Sequence, residues 1–293
     1  MAYALHGAWS KRVSGLAGPL VASWALFAFA LPGLVLYLGV HGVPEPGPRF
    51  WVILVVNCVL NLGASYLFLS ALRAGELGVT YPLLVLTPVF VIPVEFVLLG
   101  QLPGPWGAAG IGLVVAGLYL LNFGEWRHGA LAPVRALIRN PGARRALAVA
   151  VLWSVSGTLD RLGVLESSPA FYGVGLAAGL TILFTAILLA RWLFGRGAPD
   201  LGGRVASTPA RRWIGLGTLF LLGVHGALFA GMFILQMEAL DRALASYVLT
   251  VKRTGAVLAV LIGWLAFRER TVGARLFGTM VTVAGVAILA LWG

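Results

Sequence analysis

Charged residues are scarce in this sequence. Asp, Glu, Lys and Arg together make up 11% of the chain, whereas 60% of its residues are apolar and the mean hydropathy is +0.95. Soluble domains carry about 25% charged residues, so a soluble globular fold is excluded. Apolar runs of about 20 residues, long enough to cross a bilayer as a helix, recur along the chain, and β-barrel alternation is absent. The sequence therefore predicts a polytopic, all-α membrane protein.

Cysteine and catalytic motifs are lacking as well. Cys58 is the single cysteine, so no internal disulfide can form, and Cys and His residues show no metal-site spacing. The HExxH, GxSxG and Walker phosphate-loop motifs are all missing. We therefore expect neither an enzyme nor an ATP-driven pump, and no cofactor or metal. No cleavable signal peptide is expected either, because residues 1–15 lack a charged start and a long apolar core.

Basic residues outnumber acidic ones by 21 to 10, which gives a formal net charge of +11. They fall in a few loops rather than on one helical face, which indicates topology signals and argues against nucleic-acid binding. By the positive-inside rule, the linker 124–145 is cytoplasmic and both chain ends lie outside. We expect a multi-pass protein of the plasma (inner) membrane that contacts lipid and is a monomer or homodimer.

The chain contains an internal duplication. Residues 51–121 and 219–289 align without a gap at a constant offset of 168 residues. Duplication in a chain this apolar is typical of transporters built from structural repeats. The recurring positions are Ala71-Leu72 as Ala239-Leu240, Gly63 as Gly231, Leu60 as Leu228, Leu67 as Leu235, and Gly110…Val115-Ala116-Gly117 as Gly278…Val283-Ala284-Gly285.

The apolar runs predict ten helices, of which the first is truncated. The fragment 1–14 matches the second half of the helix at 144–164 at an offset of about 150 residues, so we expect its first half to be missing. Because five is an odd number, the second copy must enter the membrane from the side opposite to the first. We therefore expect two inverted repeats at 1–123 and 144–293, joined by an interfacial linker at 124–143. The nine complete spans are predicted at 18–40, 51–72, 78–99, 106–123, 144–164, 170–194, 215–239, 244–267 and 272–292.

Two adjacent cations, Lys252 and Arg253, fall near the middle of the ninth predicted helix. The two charged side chains cannot both extend to the nearest membrane interface, and burying them without a partner would cost several kcal/mol. They therefore require an anion, which is either a bound substrate or a structural ion-pair partner. The candidate ion-pair partners are Glu238, Asp241 and Glu95, and the polar neighbours that could bind a ligand are Tyr81, Ser246, Tyr247, Thr250 and Thr254.

Further polar residues interrupt other spans. Glu95 follows a series of prolines that should bend its helix, so this carboxyl is a candidate for proton coupling, unless it is solvated near the interface. Asn57 and His225 occupy equivalent positions of the two copies. They either line a central cavity and contact substrate or hydrogen-bond between helices. The glycines at 110, 117, 278 and 285 are explained by close helix packing.

The segment SYVLTVKRTGAVLAVLIGWLAFRERT, followed by Gly278 and the Val-Ala-Gly of 283–285, resembles the second EamA-type repeat of the drug/metabolite transporter superfamily. The first copy has the matching Thr87-Pro88, then Leu-Gly-Gln at 99–101, where that repeat usually has Leu-Gly-Glu. This resemblance implies a ten-helix secondary transporter with a central cavity and alternating access. The Lys-Arg pair is similar to one that binds phosphate in sugar-phosphate translocators, which implies that Lys252 and Arg253 bind the ligand.

These observations predict a secondary transporter of a small polar, anionic metabolite. Export of amino acids or amphipathic compounds is the alternative within that class. A membrane enzyme or lipid-handling protein that uses Glu95, His225 and Asp160 on a head group is the alternative from another class. A purely structural membrane subunit is disfavoured because buried charge is expensive.

Overall fold

The computed structural model describes residues 19–74, 84, 86–121, 141–194, 216–254 and 273–292. These residues form nine helices and no strand, which confirms the all-α prediction for the described part of the chain. The helices are α1 (Pro19–His41), α2 (Phe50–Ala74), α3 (Thr87–Leu99), α4 (Pro105–Leu121), α5 (Pro141–Leu165), α6 (Pro169–Phe194), α7 (Leu216–Arg242), α8 (Ala245–Arg253) and α9 (Gly273–Trp292).

Most predicted spans match these helices to within a few residues. Four of the helices, α1, α5, α6 and α7, contain stretches long and apolar enough to cross a membrane. Of the predicted spans 78–99 and 244–267, only α3 and α8 fall among the described residues. The fragment 1–14 and most of the linker 124–143 lie outside them, so the count of ten helices in two repeats stays a prediction.

Proline and glycine mark many of the helix ends. Proline is the first residue of α1, α4, α5 and α6. At this position a backbone N–H would have no intrahelical acceptor, so proline loses no hydrogen bond, and its fixed φ suits the first turn. At the start of α6, the Ser168 hydroxyl accepts a hydrogen bond from the N–H of Phe171 at 3.1 Å, which caps the helix. Gly100 ends α3 with a positive φ of 66°, which a side chain would strain.

The chain divides into two compact units. The cation unit, named for Lys252 and Arg253, comprises Ser70–Thr158 and Arg242–Gly293, and it contains α3, α4, α8, α9 and most of α5. The aspartate unit, named for Asp160, comprises Ala2–Leu69 and Leu159–Asp241, with α1, α6, α7 and most of α2. Each unit therefore combines segments from both halves of the chain. This division concerns packing, whereas the predicted repeats concern sequence similarity.

In the cation unit, α4 and α9 cross at the glycines shared by the two copies. A Cβ added at Gly110 would lie 3.0 Å from the carbonyl oxygen of Gly285, and one added at Gly117 would lie 2.7 Å from that of Gly278. Residue numbers rise along one helix as they fall along the other, so the two helices run antiparallel. The contact is reciprocal in the repeat numbering, because 110 corresponds to 278 and 117 to 285. Close packing of these glycines is confirmed.

In the aspartate unit, α1 and α6 also pack antiparallel. The Trp24 indole donates to the Thr185 hydroxyl at 2.9 Å, and the Phe27 and Phe184 rings stack with centroids 6.2 Å apart. Toward the other end, Leu34 lies 3.8 Å from the position of a Cβ on Gly173. These helices begin at Pro19 and Pro169, which are separated by the same offset of about 150 residues that relates the fragment 1–14 to the helix predicted at 144–164. Each unit thus packs two helices at equivalent repeat positions against each other.

Candidate functional site

The two cations occupy the last turn of α8. Both Lys252 and Arg253 are half-buried, and the helix that carries them is nine residues long. A helix has a partial negative charge at its C-terminal end, so cations in the last turn are stabilised there. The short helix therefore places two adjacent positive charges at the end that favours them.

Arg253 is held by a hydroxyl and an aromatic ring. Its Nη2 donates to the Thr87 Oγ1 at 3.0 Å, and that hydroxyl in turn donates to the Leu84 carbonyl at 2.6 Å. The guanidinium carbon lies 5.2 Å from the centroid of the Trp153 ring, within the range of a cation–π interaction. Thr87 belongs to α3 and Trp153 to α5, so two other helices of the cation unit orient the guanidinium.

Glu95 caps the opposite end of α8. Its side chain is fully buried, and its two carboxylate oxygens accept hydrogen bonds from the backbone N–H groups of Ala245 at 2.6 Å and Ser246 at 3.2 Å. A carboxylate is favoured at this position because the first N–H groups of a helix have no intrahelical acceptor. The alternative that Glu95 is solvated near the interface is therefore wrong.

The ion-pair alternative with Glu95 is also wrong for the part of the chain that the structure describes. Within that part, both carboxylate oxygens accept hydrogen bonds from backbone N–H groups at the first turn of α8. Glu95 and the two cations stand at opposite ends of the same short helix instead. The sequence marks Glu95 as a candidate for proton coupling, whereas its capping of α8 depends on the fold.

Three polar side chains of α8 lie between the cap and the cations. The Tyr247 hydroxyl accepts a hydrogen bond from the Gly104 N–H at 3.2 Å, just before α4, and its ring packs on the α4 core. Thr250 is buried and donates to the Ser246 carbonyl at 2.5 Å. The Ser246 hydroxyl is buried, and among the described residues it has no hydrogen-bond partner. These contacts account for Tyr247 and Thr250 but leave the Ser246 hydroxyl unused.

A second buried polar cluster surrounds Asp160 in the aspartate unit. The Asn57 amide nitrogen donates to Asp160 Oδ1 and to the Tyr172 hydroxyl, each at 2.7 Å. The Tyr172 hydroxyl donates to the same carboxylate oxygen at 3.2 Å, and the Gln236 amide donates to Oδ2 at 3.4 Å. Asn61 donates to the Asn57 side-chain oxygen at 3.0 Å, which determines the orientation of that amide. Interhelical hydrogen bonding of Asn57 is thus observed.

The remaining predicted residues lie apart from these clusters. His225 is buried on α7 of the aspartate unit, next to Gly226, whose Cα packs on the backbone of Phe29. Tyr81 lies outside the described residues. Near the ends of α1 and α7, Tyr37 donates to Glu238, and its ring contacts that of His41 at a centroid distance of 4.2 Å. Across the described ranges, no three Cys, His, Asp or Glu side chains are grouped to hold a metal ion.

Sequence reasoning missed the residues that complete both clusters. In the sequence, Trp153 is one aromatic residue in an apolar run. Neither the residue type nor the spacing of Tyr172 and Gln236 connects them to Asp160. Asp160 itself was visible as a carboxylate inside a span. Its hydrogen-bonding residues come from α2, α6 and α7, so sequence spacing could not identify them.

Comparison with known proteins agrees with the sequence resemblance. Residues 1–123 match the model of the EamA-like transporter family, which confirms the resemblance to EamA-type repeats. A solved structure titled "Crystal structure of protein" has a similar fold, with a TM-score of 0.71 and 19% sequence identity over 99% of this chain and 94% of that chain. At this identity the likeness shows the fold alone. No curated protein matches the chain.

Proposed function

We propose that this chain, whose residues 1–123 match the model of the EamA-like transporter family, is a secondary transporter of a small polar, anionic metabolite. The family indicates a membrane transporter of small molecules rather than an enzyme. Our proposal adds the substrate charge, alternating access and the plasma (inner) membrane as the location. The observation that carries it is the pair Lys252 and Arg253 at the end of α8, with the Arg253 guanidinium oriented by two neighbouring helices.

The chemistry of the two cations supports an anionic ligand. A guanidinium presents planar donors that match a carboxylate or phosphate, and an ammonium adds a compact positive charge. The contacts of Arg253 with Thr87 and Trp153 restrict its orientation, so less conformational entropy is lost when an anion binds. Ionisable residues inside membrane spans are expensive to retain and commonly mark substrate pathways.

Other predicted residues enter the proposal in different ways. Tyr247 and Thr250 stay candidates for ligand contact, although their hydroxyls already have hydrogen bonds within the cation unit. Asn57 and His225 stay candidates for ligand contact in the aspartate unit. Tyr81 stays a candidate for ligand contact that rests on the sequence alone. Glu95 stays the candidate for proton coupling. We also retain lipid contact and a monomer or homodimer as parts of the proposal.

Transport by purified protein in liposomes tests the proposal. We expect uptake or exchange of labelled anionic metabolites, tested as a panel of carboxylates and phosphate esters. The double variant Lys252→Ala/Arg253→Ala should abolish it, whereas Arg49→Ala, which removes an exposed loop cation, should leave it unchanged. A double variant that folds and still transports every anion at the wild-type rate would refute the role of the two cations.

The alternatives are separated by the choice of substrate. Liposomes loaded with amino acids or amphipathic compounds, but no anionic metabolite, test the export alternative. Transport that survives the double variant and prefers neutral or cationic compounds would favour export. Chemical change of a lipid head group during the assay would favour the membrane-enzyme alternative, which uses Glu95, His225 and Asp160.

A further inference from the structure

A strip of polar side chains runs along α2 and ends at Asp160. The strip consists of Asn57, Asn61 and Ser65, which are one turn apart on the same face of the helix. The Asn61 amide donates to the Asn57 side-chain oxygen at 3.0 Å, and the Ser65 hydroxyl donates to the Asn61 carbonyl at 2.8 Å. Asn57 is fully buried, whereas Asn61 and Ser65 are half-buried. The polar strip therefore leads from a partly accessible part of α2 to a buried carboxylate.

The second copy of the repeat lacks this strip. At the offset of 168 residues, Asn61 and Ser65 correspond to Phe229 and Phe233 of α7, whose rings stack with centroids 5.3 Å apart. The same positions of the repeat can thus be filled with aromatic rings, so the fold does not require polar side chains there. Polar groups inside an apolar span are expensive to retain and commonly mark functional pathways.

The side chains around the Asp160 carboxylate suit both of its protonation states. Asp160 is buried on α5, a helix long and apolar enough to cross a membrane. Its Oδ1 accepts from Asn57 and Tyr172, and both bonds can persist when a proton binds the other oxygen. Its Oδ2 faces the Gln236 carboxamide at 3.4 Å. A carboxamide can donate to a carboxylate or, after a half turn, accept from a carboxylic acid, so these hydrogen bonds can be made in either state.

These contacts favour a proton over a metal ion. The groups turned toward the carboxylate are N–H and O–H donors of Asn57, Tyr172 and Gln236. A hard metal ion needs oxygen acceptors instead, and the side-chain oxygen of Asn57 accepts from Asn61. The cluster is therefore arranged to hold a carboxyl group rather than to coordinate a metal ion.

The neighbours of Asp160 include one cation and two groups that are neutral at pH 7. Arg161 follows it in the chain, and a nearby cation lowers the cost of the charged carboxylate in an apolar span. Cys58 on α2 and Tyr172 on α6 lie within reach of its charge, but an ordinary thiol or phenol stays protonated at pH 7. A change of charge near neutral pH is therefore expected at Asp160 rather than at these two groups.

The third helix that contacts Asp160 is α7. Its Glu238 comes two residues after Gln236, so it points to the other side of the helix, where it accepts from Tyr37. The remaining titratable or charged residues of the four helices are Arg144 and Arg145 on α5, Tyr66 and Arg73 on α2, Arg191 on α6, and His225, Asp241 and Arg242 on α7.

We propose that Asp160 is a proton-binding site reached along the polar strip, and that its proton is transported together with the anion; the transport part rests on the proposed function. The proton comes from water and bonds to Oδ2 of Asp160, so the carboxylate becomes a neutral carboxylic acid. The new O–H donates to Oε1 of Gln236 after the carboxamide has turned. Asn57 and Tyr172 continue to donate to Oδ1.

This site is separate from Glu95. The Glu95 carboxylate is held by backbone N–H groups, which can donate to a carboxylate but cannot accept from a carboxylic acid. Joint transport also has a physical reason, because a proton that moves with a monovalent anion leaves no net charge to cross the apolar layer.

Infrared difference spectroscopy of the protein in lipid, without any substrate, tests the proton site. Between about pH 8 and about pH 5.5, exposed carboxylates stay charged because their ordinary pKa is about 4. We expect a carboxylic-acid band to appear in the wild type over this range. Asp160→Asn should remove the band, and its amide can make the hydrogen bonds of the protonated state, so the variant should fold. Gln236→Met should change the frequency of the band because the O–H loses its acceptor.

Two further variants control this measurement. Glu45→Gln changes an exposed loop residue and should leave the band in place, as should Glu95→Gln. Absence of the band from the wild type, its persistence in Asp160→Asn, or its loss in Glu95→Gln would overturn the assignment to Asp160.

Uptake of a labelled monovalent anion into liposomes that are more acidic outside tests joint transport. With one proton per anion, a gradient of one pH unit should sustain about a tenfold accumulation in the wild type. Asp160→Asn should exchange labelled for unlabelled anion without accumulating it. Accumulation by Asp160→Asn at the wild-type level, or accumulation driven by a sodium gradient instead, would overturn the coupling. No transport of any anion by the wild type, with the Asp160 band intact, would support the proton site and contradict the proposed function.

Asn61→Phe tests the route along the polar strip, because it introduces the residue found at the equivalent position of the second copy. It should leave the Asp160 band in place and slow the proton-driven uptake severalfold. Val59→Phe places the same ring on an exposed part of α2 and should leave the uptake rate unchanged. Equal uptake rates in the wild type and Asn61→Phe would overturn the route.

Discussion

The crossing of α4 and α9 allows one substitution to be worked out in detail. A Cβ added at Gly117 would lie 2.5 Å from the backbone nitrogen of Thr282 and 2.7 Å from the carbonyl oxygen of Gly278. Both are backbone atoms, which cannot move aside by rotation of a side chain. Gly117→Ala therefore requires the two helices to separate by roughly 1 Å, which would bring these contacts to ordinary van der Waals distance.

The expected net loss of stability is about 1–2 kcal/mol. Overpacking of this kind costs about 1–3 kcal/mol, and the gain in helix propensity from Gly to Ala returns at most about 1 kcal/mol. Because the contact is reciprocal, Gly285→Ala, whose Cβ would lie 2.7 Å from the backbone nitrogen of Val114, should lower the stability by a similar amount.

Gly112 provides the matched control on the same helix. It is exposed, and a Cβ added there would have no atom within 4 Å, so Gly112→Ala should leave stability unchanged or slightly raised. Thermal unfolding in detergent, followed by intrinsic tryptophan fluorescence, measures all three variants. We expect lower midpoints for Gly117→Ala and Gly285→Ala than for Gly112→Ala. Equal midpoints for the three variants would refute the argument from close packing.

Two other contacts give predictions of their own. Trp153→Leu removes the cation–π interaction with Arg253, which is worth about 0.5–2 kcal/mol. The apparent affinity for the transported anion in liposome uptake should therefore fall by roughly 2- to 30-fold, while the unfolding midpoint changes little. An unchanged affinity would contradict a positioning role for Trp153. Asn57→Leu leaves the Asp160 carboxylate and the Tyr172 hydroxyl each without one hydrogen-bond donor. It should therefore destabilise the protein by about 1–3 kcal/mol, measured by thermal unfolding. An unchanged unfolding midpoint would count against this network.

Helix positions were predictable because hydrophobicity, proline and glycine act locally. The ends of α1, α6 and α9 were predicted to within one residue of those observed, since apolar runs set the span and Pro or Gly stands at a helix end. The glycines of α4 and α9 were assigned to close packing for the same reason, because small residues at regular spacing leave room for another backbone.

The candidate site was predictable only as residue types. Lys252, Arg253 and Glu95 stood out because charge in an apolar span is costly wherever it points. The sequence could not show that Glu95 caps the helix that carries the cations. The hydrogen bond that makes the cap joins Glu95 to Ala245, and these residues are 150 positions apart in the chain. It also left open an ion pair with Glu95, which the described geometry excludes.

By itself, therefore, the sequence determined a duplicated helical membrane protein with two cations in a late helix, because composition and periodicity report on burial in lipid. Only the tertiary structure decided which groups meet: Trp153 under Arg253, Glu95 at the start of α8, and Asn57 and Tyr172 on Asp160. Hydrogen bonds and ring contacts depend on distances of a few ångströms between separate helices, and those distances are set by packing rather than by spacing along the chain.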